Sequence, residues 1–75
     1  MDEKEKAQHL TIMEMDLFHA AREARKLKEA SNWYCSVLSR REQIEAWEKE
    51  DPEADFGWYY AITLNMTEEL AMQKP

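Results

Sequence analysis

DPEADFGWYYAITLNMTEEL, residues 51–70, holds the strongest helix-start signal in the chain and its densest aromatic patch. Asp51 carries the carboxylate that an N-cap uses to accept from the free N–H groups of a first turn. Pro52 suits the first helical position, where its missing N–H costs nothing and its φ is already set. Glu53 and Asp55 add negative charge at the positive end of the helix dipole. Phe56, Tyr59, Thr63, Met66 and Leu70 then recur at alternating spacings of three and four. That stripe predicts a helix over about 52–72 with one inward face. Trp58 and Ile62 fall on a neighbouring face and Tyr60 at the edge of the stripe, so one covering layer does not hide every apolar residue. Gly57, the only glycine, costs about 1 kcal/mol relative to alanine in a helix interior. It is tolerated near a helix start, or the helix begins at Phe56 with Asp55 as its cap. The sharper alternative is close approach by another backbone.

Working outward, the 75 residues make one domain, 1–75, with a core marginal for its size. A lone cysteine, Cys35, offers no disulfide and is expected to be a buried, inert thiol. The charged N-terminus, MDEKEKAQ, lacks the apolar region of an export signal, and no apolar run reaches the ~20 residues a membrane span needs. These features place the expected compartment in the cytoplasm. With one glycine, two prolines and 35% charged residues, the composition suits helices and argues against sheets with tight turns.

Residues 1–8 form a polar lead-in, expected to fray. Leu10, Met13, Leu17, Ala20, Ala24 and Leu27 then keep strict three–four spacing, predicting a helix over about 3–30 with that seam inward. Ile12, Met15 and Phe18 lie off the seam. Ser31 and Asn32 suit a break better than a helix interior, and the apolar phase slips by one residue there, to Trp33, Val37, Ile44 and Trp47. A second helix is expected over about 32–50, the alternative being one unbroken helix through both. Lys74 and Pro75 form a tail. The expected architecture is all-α: a three-helix up-down-up bundle, or helical hairpins packed as a dimer.

Charge is segregated. Residues 1–21 carry a net −3, residues 22–41 a net +4 and residues 42–75 a net −7, within a total of −6. The junction of the second and third helices, with Glu42, Glu45, Glu48, Glu50, Asp51, Glu53 and Asp55, is strongly acidic. Such a dipolar molecule can orient a partner and speed encounter. The acidic total argues against phosphate-driven nucleic-acid binding.

No catalytic pattern is present. His9 and His19 sit ten apart on one helix and do not share a face, and a metal site needs three or four converging ligands. Ser36 and Ser39 lack a glycine elbow, and a single glycine makes neither a phosphate loop nor a dinucleotide fingerprint. The expectation is no enzyme, no cofactor and no metal.

What remains is surface. Phe18, Trp33, Tyr34, Trp47, Trp58, Tyr59 and Tyr60 are more large aromatics than a monomer this small hides easily, and Trp and Tyr are common interface anchors. The expected function is a small acidic protein–protein interaction module or regulator that binds a larger protein and pairs with itself as a homodimer. In size and charge it is like the small accessory regulators of phages and other mobile elements. The expected contact residues are Phe18, Trp33, Tyr34, Trp47, Trp58 and Tyr60 with Glu45, Glu48, Asp55, Arg40 and Arg41. Two alternatives are a nucleic-acid-binding or transcriptional module, using the basic corner of helices 1 and 2, and a structural subunit of a larger assembly.

Overall fold

The protein is all-α in its computed structural model, which describes residues 2–73. Among these residues four helices follow in order: α1 (Glu3–Glu23), α2 (Leu27–Leu38), α3 (Arg41–Glu50) and α4 (Gly57–Ala71). The first helix begins at Glu3, where it is expected to. The reason is a cap: the Asp2 carboxylate accepts from the Glu5 N–H at 2.8 Å, with Glu3 and Glu5 favourable in the first turn. The expected tail at Lys74 and Pro75 lies outside the described residues.

The first helix ends seven residues earlier than its periodicity predicts. Arg25 adopts a left-handed conformation (φ 61°), the Lys26 N–H bonds to the Ala21 carbonyl at 2.8 Å, and the Arg25 N–H bonds to that of Arg22 at 2.9 Å. This is the six-to-one closure that usually recruits glycine. No glycine or proline announces it, so the turn passes unnoticed in the sequence. Ser31 and Asn32, the expected break, lie instead inside α2 on its exposed side.

The expected second helix is divided at Ser39–Arg40. Both residues keep helical dihedrals, but the Arg40 N–H reaches only three residues back, to the Val37 carbonyl at 3.1 Å, so the chain tightens and bends. Ser39 Oγ donates to the Ser36 carbonyl at 2.7 Å. Tyr59 Oη donates to the Val37 carbonyl at 2.8 Å and lies 3.4 Å from that of Leu38. The bend is therefore closed by a side chain from α4.

Asp51-Pro52 does not start the third expected helix. Asp51 ends α3, and its carbonyl accepts from the Ala54 N–H at 3.1 Å. Asp and Pro thus occupy the first two positions of a β-turn, which they favour as strongly as a helix start. Helix α4 begins five residues after Pro52 and one after the alternative start at Phe56, where Asp55 Oδ1 accepts from the Gly57 N–H at 2.8 Å. A Cβ on Gly57 would come 3.0 Å from that same oxygen, so its near neighbour is a carboxylate and no other backbone.

Paired residues give the directions. Glu14 meets Ser36 and Thr11 meets Arg40, so α2 runs antiparallel to α1. Thr67 meets Tyr34 and Tyr59 meets Val37, so α4 runs antiparallel to α2. His19 meets Asn65 and Arg22 meets Glu69, so α4 runs with α1. The backbone measures 41 × 23 × 15 Å, and its least dimension is about two helix layers. The core comprises Phe18, Ala21, Ala30, Val37, Ile44, Trp47, Phe56, Tyr59 and Met66. On α4 the expected stripe is the buried one, with Leu70 partly covered.

On α1 it is not. The buried residues are Thr11, Glu14, Phe18 and Ala21. They too are spaced three and four apart, one residue out of phase with the expected seam, and two of them are polar. Glu14 is 4% exposed. It meets Arg40 Nη1 at 2.6 Å and accepts from Ser36 Oγ, while the same Arg40 nitrogen donates to Thr11 Oγ1 at 2.8 Å. Thr11 Oγ1 in turn donates to the Ala7 carbonyl at 2.7 Å. Burial of a charge is tolerated here because it is paired and hydrogen-bonded.

Candidate functional site

Of the eleven residues singled out for partner contact, four come together on the surface. Arg41, Glu45 and Glu48 lie at spacings of four and three on α3, which puts them on one face. The 51–56 turn folds α4 back so that Tyr60, in its first turns, meets that face. Arg41 Nε donates to Glu45 Oε1 at 3.0 Å, and the guanidinium lies 5.6 Å from the Tyr60 ring centre. Tyr60 Oη donates to Glu48 Oε1 at 2.7 Å. The Tyr60 ring rests edge-on against the buried Tyr59 ring at 5.5 Å, so the cluster is anchored to the core.

The electrostatics follow from these bonds. The Glu45 hydrogen bond holds the Arg41 proton more tightly than usual. The Glu48 carboxylate, accepting from the phenol, raises the pKa of Tyr60, and burial adds to the effect. Burial also raises that of Tyr59. The result is a surface that offers guanidinium donors beside carboxylate acceptors in fixed positions.

The other candidates are placed elsewhere. Phe18 is fully buried and Trp47 is 9% exposed, stacked on Phe56 at 6.1 Å; both are core residues and not surface contacts. They lie on the faces that the interhelix packing covers. Arg40 is likewise not a surface contact, because it turns inward to Glu14. Asp55 is committed to the start of α4. Trp58 is half-buried against Phe56 and Tyr59. Trp33 and Tyr34 are half-buried on α2, with Tyr34 Oη hydrogen-bonded to Thr67 Oγ1 at 2.5 Å. Cys35, expected to be buried, is exposed.

Two polar clusters escaped the sequence reading. One is the Glu14–Arg40 pair. Only its inward face had a signal, since Phe18, the largest side chain on α1, shares the phase of Thr11, Glu14 and Ala21; nothing local pairs Glu14 with Arg40. The other joins α1 to α4, where His19 Nε2 lies 2.5 Å from Glu69 Oε2 and 3.2 Å from Asn65 Oδ1, and Arg22 Nη1 lies 3.3 Å from Glu69 Oε2. These partners are some fifty positions apart in the chain, beyond any local pattern.

Among the described residues no group of three or more His, Cys, Asp or Glu side chains is arranged to hold a metal ion. No helix among them is long and apolar enough to cross a membrane. No family model matches the chain, nor does any curated protein or solved structure.

Proposed function

We propose that this protein is a small acidic interaction module that binds a larger protein through the α3–α4 corner. The observation that supports this reading is the Arg41–Glu45–Glu48–Tyr60 cluster, whose aromatic and charged groups are already bonded to one another on the surface. Such groups are pre-ordered, so binding them costs less side-chain entropy than ordering free ones. Around them Glu42, Glu50, Glu53 and Asp55 are exposed, so the partner surface they suit is basic. Complementary charge of this kind governs encounter and orientation more than raw affinity.

The nucleic-acid reading is the less favoured: of its two reader residues, Arg40 turns inward to Glu14, while Arg41 pairs on the surface with Glu45.

Capture with the tagged chain from cells that make it tests the proposal. The expected result is a basic protein retained by the wild type at 50 mM salt, weakened several-fold at 300 mM, and lost with Glu45→Lys/Glu48→Lys. Retention of the same protein by that double variant would count against the corner as its binding surface.

A further inference from the structure

Arg41 fills its place on the α3–α4 corner only loosely. Its Nε donates to Glu45 Oε1 at 3.0 Å, and its guanidinium carbon stands over the Tyr60 ring, 5.6 Å from the centre. Both contacts suit a guanidinium: an N–H fork against a carboxylate, and a flat cation on an aromatic face. Yet the arrangement is shallow, with the Arg41 side chain 55% exposed and that of Glu45 53%. An exposed pair four residues apart on one helix is weak, so little is lost when another cation takes the place of Arg41.

The groups around the guanidinium are fixed more firmly than the guanidinium itself. Glu48 Oε1 accepts from Tyr60 Oη at 2.7 Å, which ties carboxylate and ring together across the α3–α4 turn. Glu48 and Tyr60 are each half-buried, and the Tyr60 ring is seated on the buried Tyr59. Glu45 and Glu48, three apart on α3, are neighbours on one face. A carboxylate and a ring face thus contact the guanidinium, and a second carboxylate is bonded to the hydroxyl of that ring.

The surrounding charge selects a cation. Residues 41–55 hold seven acids and two bases, Arg41 and the exposed Lys49. Two further bases lie near, but Arg40 turns inward to Glu14 and Lys4 lies 4.0 Å from Asp51. An anionic group of a partner, reaching for the outer N–H groups of Arg41, would meet those seven acids first.

We infer that Arg41 is an internal stand-in for an arginine of the partner protein, whose guanidinium displaces it, bonds to Glu45 and stacks on Tyr60. The inference rests on the α3–α4 corner being the binding surface, and it adds the chemical group that the corner recognises. Lysine fits less well, because a compact ammonium satisfies the carboxylate but has no plane to lay on the ring.

Fluorescence anisotropy with labelled hexa-arginine and hexa-lysine at 50 mM salt tests it. The wild type should bind hexa-arginine more tightly than hexa-lysine, and Arg41→Ala should bind hexa-arginine several-fold more tightly than the wild type. Lys49→Ala makes the same change of charge on the same helix, so it measures the purely electrostatic gain, which should be smaller and equal for the two peptides. Tyr60→Leu should remove the preference for arginine while hexa-lysine still binds. Arg41 and Lys49 are both exposed, so comparing their variants decides the matter even where Tyr60→Leu loosens the fold. Weaker hexa-arginine binding by Arg41→Ala, or a gain no larger than that of Lys49→Ala, would overturn the inference. The corner would still stand as the binding surface so long as Glu45→Lys/Glu48→Lys abolishes peptide binding. Undiminished binding by that double variant would sink the corner, and this inference with it.

Discussion

Two residues carry more of the fold than their types suggest. Arg25 is held at φ 61°, where an L side chain other than glycine costs roughly 1–2 kcal/mol. Arg25→Gly should therefore raise stability by about 1 kcal/mol, after the entropy glycine adds to the unfolded chain is subtracted. A urea midpoint unchanged or lowered would show that the arginine side chain itself supports the turn. Glu14 is buried against Arg40. Glu14→Ala leaves that largely buried guanidinium without its carboxylate and should cost about 3–5 kcal/mol. The double variant Glu14→Leu/Arg40→Met should be much less destabilised, and a double-mutant cycle in urea measures the coupling. Neither role was legible in the sequence. An arginine in a left-handed turn has no compositional signature, and an ion pair across 26 positions has no local one.

At the scale of elements, each boundary depends on one or two specific bonds. Helices of ten to fifteen residues, such as α2, α3 and α4, are marginal alone and hold only when packed and capped. Asp55 is the fastening of α4. Asp55→Ala should cost about 1 kcal/mol and speed amide exchange at Gly57 while the exchange of α1 is unaltered; equal acceleration everywhere would mean global destabilisation instead. The α4 stripe was legible because Phe56, Tyr59, Met66 and Leu70 keep one phase from the start of the helix to its end. The α1 core face was not, since two stripes on that helix have the same spacing and the more apolar one faces outward. Asp51-Pro52 was ambiguous for a related reason: a proline-led β-turn and a helix start use the same two residues, and only the location of the next hydrogen bond separates them.

The molecule as a whole depends on Tyr59, which is buried and bonded across the α2–α3 bend. Its pKa is raised by burial and that of Tyr60 by the Glu48 hydrogen bond. In the unfolded chain both phenols ionise near 10. Above that value the unfolded chain releases protons that the folded one keeps, so their contribution is complete below pH ~10 and falls as pH rises through the higher folded values. Urea midpoints should hold between pH 8 and 9.5 and decline from 10 upward. Tyr59→Phe should lower stability at pH 8 by about 1 kcal/mol, through the lost carbonyl bond, yet flatten the alkaline decline. An equally steep decline would assign it to other groups.

The sequence alone determined the all-α class and the inward faces of α4 and of the α2–α3 run. These follow from composition and periodicity, which are local properties. Tertiary structure decided where the helices end, which of two equivalent stripes on α1 is buried, and which aromatics reach the surface. Each of those choices turns on contacts between residues far apart in the chain. A buried glutamate became acceptable on α1 only because Arg40 arrived to meet it, and the apolar seam beside it was thereby left facing out.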